Sequence, residues 1–283
     1  MKNKILVTGA TGNIGKELVS LLKEKDANFS AATSNGHAIE GVNTVKLDFS
    51  DKASMEKAMQ GIDTLFLLLP SHPDVVQWGE NAIEIARQNG IKHIVRSSGM
   101  FANTDSDLLI EQQLGSTDEE VKSSGIDYTI TSPSSFMQNF VTTLATDYKA
   151  GVIYQAAADA QISWVDTRDI AAVNAEALLN PSKYRNKTLK ITGSERLNYQ
   201  EAISLMNQAM GKETQYVDIS NEAASQTMAD MHFPPYVIEL LISLSDSIKQ
   251  GHFVEISDTV EKVTGKQPIK FKQFIEDNEQ VWI

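Results

Sequence analysis

Two hydrophobic rhythms alternate along the first half of the chain. Ile5-Leu6-Val7-Thr8 is a short apolar run closing on glycine, the pattern of a strand buried on both faces. Ile14, Leu18, Leu21 and Leu22 follow at helical spacing and form one apolar stripe. Strands are then predicted at 28–33 and 43–47, a helix from Asp51 to Met59, and a strand at 64–69 ended by Pro70. A helix from Asp74 to Gln88 stops at Asn89-Gly90, a C-terminal glycine signal. The strand His93–Ser97, a polar helix over 107–124 and the strand Tyr128–Thr131 complete the run. Strands separated by helices in this way predict an α/β fold, a doubly wound parallel sheet of Rossmann type, over residues 1–150.

Past residue 135 the rhythm loosens. A helix is predicted at 135–148, short strands at 152–155 and 161–165, and a helix Thr167–Leu179 ended by Asn180-Pro181. Leu189–Ile191 reads as a strand, Tyr199–Met210 as a helix closed by Gly211, and 214–218 as another strand. From 220 onward the pattern is mostly helical. Residues 151–283 thus read as a smaller, mostly helical cap over a small-molecule substrate, with the chain returning to the sheet domain around 161–192.

Composition narrows the chemistry. The 283 residues include no cysteine, which removes disulfides, thiol nucleophiles, iron–sulfur clusters and Cys-ligated zinc. Five histidines without HExxH spacing argue against a metal site. The net charge of −12 divides evenly, with 13 basic and 19 acidic side chains up to residue 150 and 12 and 18 beyond it. No basic arm marks a nucleic-acid partner; the stretch Lys183–Lys190 reads as a solvated loop entering a strand. The first residues, Met1-Lys2-Asn3-Lys4, lead straight into a strand pattern without a signal-peptide core. The longest apolar run, Leu65–Leu69, is too short to span a bilayer. These features predict a cytoplasmic protein with no membrane segment.

The sharpest motif is Thr8-Gly9-Ala10-Thr11-Gly12-Asn13-Ile14-Gly15, set between the first strand and the first helix. Gly9 permits the turn, Gly12 leaves room for a pyrophosphate, and Gly15 allows close packing. The helix start then offers N–H groups and partial positive charge to the phosphates. At the end of the second strand, Thr33-Ser34-Asn35 contains no acid to bind ribose hydroxyls or repel a 2′-phosphate, which favours NADP over NAD; an ordinary polar loop would read the same way.

The spacing Gly-x-x-Gly-x-x-Gly resembles the extended and atypical short-chain dehydrogenase/reductases. Further segments follow in that order: Val45-Lys-Leu-Asp48-Phe49, Leu67-Leu68-Leu69-Pro70, His93–Gly99, Tyr128–Asn139 and Trp164–Ala171. Together they are similar to the NmrA-like branch, near its triphenylmethane-reductase and quinone-reductase types. The resemblance implies that Asp48 and Phe49 lie at the adenine, that Leu68, Leu69, Pro70, Ser97 and Pro133 line the cofactor, and that Phe136, Met137, Asn139 and Trp164 wall the substrate pocket. It also implies that Ser98 is the strand-end serine able to bond a substrate carbonyl. Each has a plainer reading: a loop cap for Asp48, core for Phe136, Met137 and Trp164, and a strand-end cap for Ser98.

The chain departs from the superfamily in its proton-transfer pair. None of Tyr128, Tyr148, Tyr154, Tyr184, Tyr199, Tyr216 and Tyr236 is followed by lysine four residues later. That argues against alcohol-dehydrogenase or nucleotide-sugar-epimerase chemistry. It leaves NAD(P)H-dependent hydride transfer to a quinone-like or otherwise electrophilic substrate, or a non-catalytic dinucleotide sensor. Asp166 and Asp169 open a helix and read as caps, and His93, at the start of its strand, as structural.

Overall fold

The computed structural model describes residues 3–283; Met1 and Lys2, the start of the N-terminal segment read above, lie outside them. Seven parallel strands form the central sheet in the order β3-β2-β1-β4-β5-β6-β8. They are β1 (Ile5–Val7), β2 (Phe29–Thr33), β3 (Thr44–Lys46), β4 (Thr64–Leu67), β5 (His93–Ser97), β6 (Asp127–Pro133) and β8 (Lys187–Ile191). The order reverses at β1, which pairs with β2 through Val7↔Ala31 and with β4 through Val7↔Phe66. In an open parallel sheet such a reversal leaves a crevice beyond the carboxyl ends of the strands.

Side chains alternate across the sheet and seed two cores. On one face Ile5, Val7, Phe66 and Val95 meet α1 (Asn13–Glu24) and α6 (Thr167–Leu179). On the other, Leu6, Leu65, Leu67 and Ile94 meet α2 (Lys52–Met59) and α3 (Val75–Gln88). Helix α4 (Leu109–Ser123) joins β5 to β6. A third core, built on Phe140, Trp164, Phe271, Phe274 and Trp282, underlies the C-terminal part. That part holds α5 (Ala145–Ala150), α7 (Tyr199–Met210), α8 (Asn221–Asp230), α9 (Pro235–Lys249), α10 (Thr259–Thr264) and α11 (Phe271–Asn278). It also holds the parallel pair β7 (Val152–Gln155) and β9 (Gln215–Asp218). Among the described residues, no helix is long and apolar enough to cross a membrane.

Two elements differ from the sequence pattern. The helix predicted at 135–148 is broken into a 3-10 turn, Met137–Phe140, and the short α5. Its backbone is pinned sideways: Met137 N–H donates to the Val165 carbonyl, and the Gln138 side chain reaches Asp166 and Thr167. The predicted strand 161–165 makes only isolated bridges, Phe136↔Val165 and Ile162↔Leu197, because successive residues bond to different segments.

His93 begins β5 and is buried; its Nε2 lies 2.9 Å from Thr129 Oγ1. Thr129 gives its hydrogen to the Tyr184 carbonyl, so His93 donates from Nε2 as a neutral ring. Burial pushes its pKa down to about 4. The unfolded chain therefore binds a proton near pH 6.5 that the folded chain refuses until about 4, and stability falls as pH drops through that window. Urea titrations should show wild type losing roughly 2–3 kcal/mol across it beyond what His93→Gln loses. Parallel pH profiles for the two proteins would refute this account.

Candidate functional site

The loop leaving β1 is held to β4 by Thr8. Its hydroxyl donates to the Phe66 carbonyl and accepts from Leu68 N–H at 2.8 Å, an anchor not evident in the glycine pattern. Gly9 turns the chain at φ +63°, with Leu68 packed over it, and its carbonyl accepts from Gly12 N–H at 3.0 Å. A Cβ on Gly15 would sit 2.0 Å from the Gly9 carbonyl oxygen, so helix and loop meet there backbone to backbone. Thr11 and Gly12 are exposed, Asn13 is half-buried and Ile14 is in the core.

Gly12 is the N-cap of α1 and supplies no side-chain cap, and the first turn carries no acid. The leading N–H groups therefore have no side-chain cap, with the positive end of a twelve-residue helix behind them. A pyrophosphate fits this cradle.

At the end of β2, the buried Thr33 spends its hydroxyl on the His37 carbonyl, and Asn35 Oδ1 accepts from His37 N–H. Ser34 remains exposed. Lys46, registered opposite Thr33 on β3 and packed near Gly36, adds a cation that the β2 sequence alone did not reveal. Asp48 Oδ1 accepts from both the backbone and hydroxyl of Ser50, which holds its pKa below the ordinary carboxylate value. Phe49 is buried and stacks toward Trp78, with ring centroids 6.5 Å apart.

Beyond β4 and β5, Leu68, Leu69, Pro70, Ser97 and Ser98 line a cleft of about 140 Å³. Val75 of α3, Ile110, Gln113 and Leu114 of α4 and Leu240 of α9 close it. Helix α9 is fastened to α4 by Tyr236 Oη donating to Gln113 Oε1 and by Ile110 N–H donating to Ser243 Oγ. One turn away the buried Glu111 accepts from Ser106, Ser247 and His252 Nδ1, the last at 2.6 Å. Contacts between α4 and α9 span more than 100 residues of sequence, and neither helix announces the other in its pattern.

Pro133 closes β6, and Phe136 and Asn139 are half-buried beyond it. Met137 and Trp164 require correction as pocket walls, because neither has surface to offer a ligand. Trp164 donates its indole N–H to the Leu197 carbonyl and packs edge-on against Phe140 and Tyr199. Met137 lies in the same apolar core. Asp166 caps α6, in line with its plainer sequence reading.

Three buried polar atoms at the cleft lack a hydrogen-bond partner: Ser97 Oγ, Arg96 Nε and Asp118 Oδ1. Arg96 of β5 and Asp118 of α4 face each other with Nε 3.5 Å from Oδ1, and Ser98 Oγ donates to Asp118 Oδ2 at 2.8 Å. Burial raises the Asp118 pKa against the opposing pull of Arg96. No group of three or more His, Asp or Glu side chains among the described residues is placed to hold a metal ion.

The chain is 34% identical over 275 residues to the NAD(P)H azoreductase of Xenophilus azovorans, covering 95% of this chain and 96% of that one. Its fold is similar to Citrobacter sp. triphenylmethane reductase complexed with NADP(H): TM-score 0.84, 23% identity, covering 97% of this chain and 99% of that one. It is also similar to the quinone oxidoreductase QOR2 of Escherichia coli complexed with NADPH: TM-score 0.85, 21% identity, covering 96% and 99%. The sequence pattern of the NmrA-like family matches residues 1–276, which include the glycine loop, the strand-end segments and the C-terminal helices. By this match across nearly its whole length, the chain belongs to the NmrA-like family.

Proposed function

We propose that this chain is an NAD(P)H-dependent oxidoreductase that passes a hydride to a small electrophilic acceptor, an azo compound or a quinone. The carrying observation is that the uncapped glycine loop at the head of α1 and the small cleft beyond β4 and β5 share Leu68, which packs on Gly9 and lines the cleft. The 34% identity to an azoreductase supports the reading. A reduced nicotinamide dinucleotide held there supplies the hydride.

The chain's own residues bind and orient. The Gly9–Gly15 backbone and the start of α1 would hold the pyrophosphate. Ser34, Asn35 and Lys46 would hold the 2′-phosphate of NADP, with Asp48 and Phe49 toward the adenine. Leu69, Pro70, Ser97 and Pro133 serve the nicotinamide half, and Phe136 and Asn139 extend the wall. Val75, Leu114 and Leu240 keep water from the acceptor and fix its approach. Helices α8 and α9 act as the substrate cap.

Mixing the protein with NADPH and a panel of azo dyes and quinones should bleach the reduced-nicotinamide absorbance. A flat trace across the panel, with NADPH binding intact, would replace the enzyme by a dinucleotide sensor. In titrations NADPH should bind at least about tenfold tighter than NADH, and Lys46→Ala should erase most of that margin. Equal affinities in wild type would refute the 2′-phosphate assignment.

A further inference from the structure

Reduction of an azo bond or a quinone by two electrons consumes one hydride and one proton, and the tyrosine–lysine pair that could supply the proton is missing. We propose that Asp118 and Ser98 form the proton route to the acceptor, Ser98 touching the substrate and Asp118 acting through it as a positioning and reloading group. The inference rests on the reductase reading above.

Four observations carry it. Ser98 lines the cleft, and its hydroxyl already bonds Asp118 Oδ2 at 2.8 Å. Asp118 is 5% exposed on the inner face of α4, so its exchange with solvent is restricted and its nearest proton acceptor or donor toward the cleft is Ser98. Its pairing with Arg96 is loose: Nε stands 3.5 Å from Oδ1 and both atoms lack a hydrogen bond. Arg96 instead directs Nη1 to the Ser97 and Leu67 carbonyls. A purely structural ion pair would close that gap into a charge-assisted bond.

The surrounding charges are few. Arg96 faces Asp118 from β5, and Lys122 and Glu119 flank it on its own helix. From α3, Gly79 packs against Thr117 and brings no charge. Burial outweighs Arg96, the Ser98 hydrogen bond and Lys122, and raises the Asp118 pKa above the ordinary carboxylate value.

Atoms and electrons balance as follows. The hydride, with its electron pair, goes from the reduced dinucleotide to one nitrogen of the azo bond, or to the quinone, oxidising the dinucleotide. The Ser98 O–H bond breaks as a bond forms between that hydrogen and the second nitrogen or the quinone oxygen. For this step the Ser98 hydroxyl turns its hydrogen from Asp118 Oδ2 to the acceptor, the hydrogen bond reverses, and Oγ takes the proton carried by Asp118 Oδ2, which is left as a carboxylate beside Arg96. Water reprotonates it between turnovers. The product is a hydrazo compound or a hydroquinone.

The test begins without cofactor. Carbon-13 NMR of protein labelled at the aspartate carboxyls should show, besides Asp169, which burial raises to about 6, a second resonance titrating above the ordinary aspartate range, absent in Asp118→Asn and shifted in Ser98→Ala. An Asp118 that titrates in or below the ordinary range overturns the proposal. With NADPH and an acceptor, Asp118→Asn and Ser98→Ala should each lower kcat by about 100-fold and leave KM and the NADPH Kd within about threefold. The double variant should be no worse than either single one, and the wild-type solvent isotope effect should vanish in both. If Asp118→Asn does not fold, Ser98→Ala decides on the same readouts. Wild-type turnover that both variants preserve overturns the relay and leaves the reductase reading standing. A wild type that binds NADPH but reduces nothing overturns both.

Discussion

A Gly12→Val variant is expected to lose dinucleotide binding by more than about 100-fold while keeping its fold. Gly12 sits at φ −77° and ψ 178°, backbone that any residue adopts. A Cβ there would meet only the Gly9 carbonyl oxygen, at 3.4 Å, an ordinary contact. The added methyls would project outward into the space before the first N–H groups of α1, where the proposed pyrophosphate would sit. Losing even two charge-assisted N–H bonds removes about 3–6 kcal/mol of binding. Valine is a poorer N-cap than glycine, at a cost of about 1 kcal/mol, so Tm should fall by only a few degrees. NADPH fluorescence titration beside a thermal melt separates the two effects. Binding retained within a few-fold would remove the phosphate site from this loop. Gly15 offers no equivalent test, because a Cβ 2.0 Å from the Gly9 carbonyl disrupts the loop itself.

The glycine loop between β1 and α1 was legible in sequence because its requirements are local. A turn at Gly9, bare backbone at Gly12 and a close approach at Gly15 are each satisfied by one residue type at one position. The central sheet was legible for a related reason: strands buried on both faces, alternating with amphipathic helices, leave few topologies. The rest of the site depends on residues far apart in sequence. Trp164 and Met137 follow strand ends, yet both lie in the third core, where Phe140 of the 3-10 turn and Tyr199 of α7 pack against Trp164. Thr33 looked free to bind phosphate until the fold of its own loop placed the His37 carbonyl against its hydroxyl. Asp118 and Glu111 stand in a polar helix whose pattern gives no sign of Arg96, Ser247 or His252. Pairings of that kind are set by how α4 meets β5 on one side and α9 with the loop after it on the other.

The segment 164–171 resembles a functional motif by its place in the chain, and its geometry assigns it to stability. Asp166 is fully buried and accepts four hydrogen bonds: from Gln138 Nε2 at 3.0 Å, from Arg168 N–H at 2.8 Å, and from Arg168 Nε and Nη2 at 3.0 and 2.7 Å. Arg168 continues to Asp277 on α11, and Gln138 Oε1 accepts from Thr167 N–H. One carboxylate thus ties the 3-10 turn after β6, the start of α6 and the C-terminal helix together. Asp166→Ala is expected to cost about 2–4 kcal/mol. The lost helix cap accounts for about 1 kcal/mol and the stranded Gln138 amide for about 1–3 more, while the half-exposed guanidinium of Arg168 turns to water and adds little. Asp166→Asn keeps the acceptor for Arg168 N–H but presents its amide to the guanidinium, so its cost should fall between wild type and alanine. Urea denaturation of the three proteins should give that order, with Tm about 10 °C lower for the alanine variant. Because α6 packs against α1 beneath the glycine loop, NADPH affinity should weaken along with stability, whereas Gly12→Val separates the two. A loss below about 1 kcal/mol in Asp166→Ala would mean that the turn, the helix and α11 hold together through their apolar core alone.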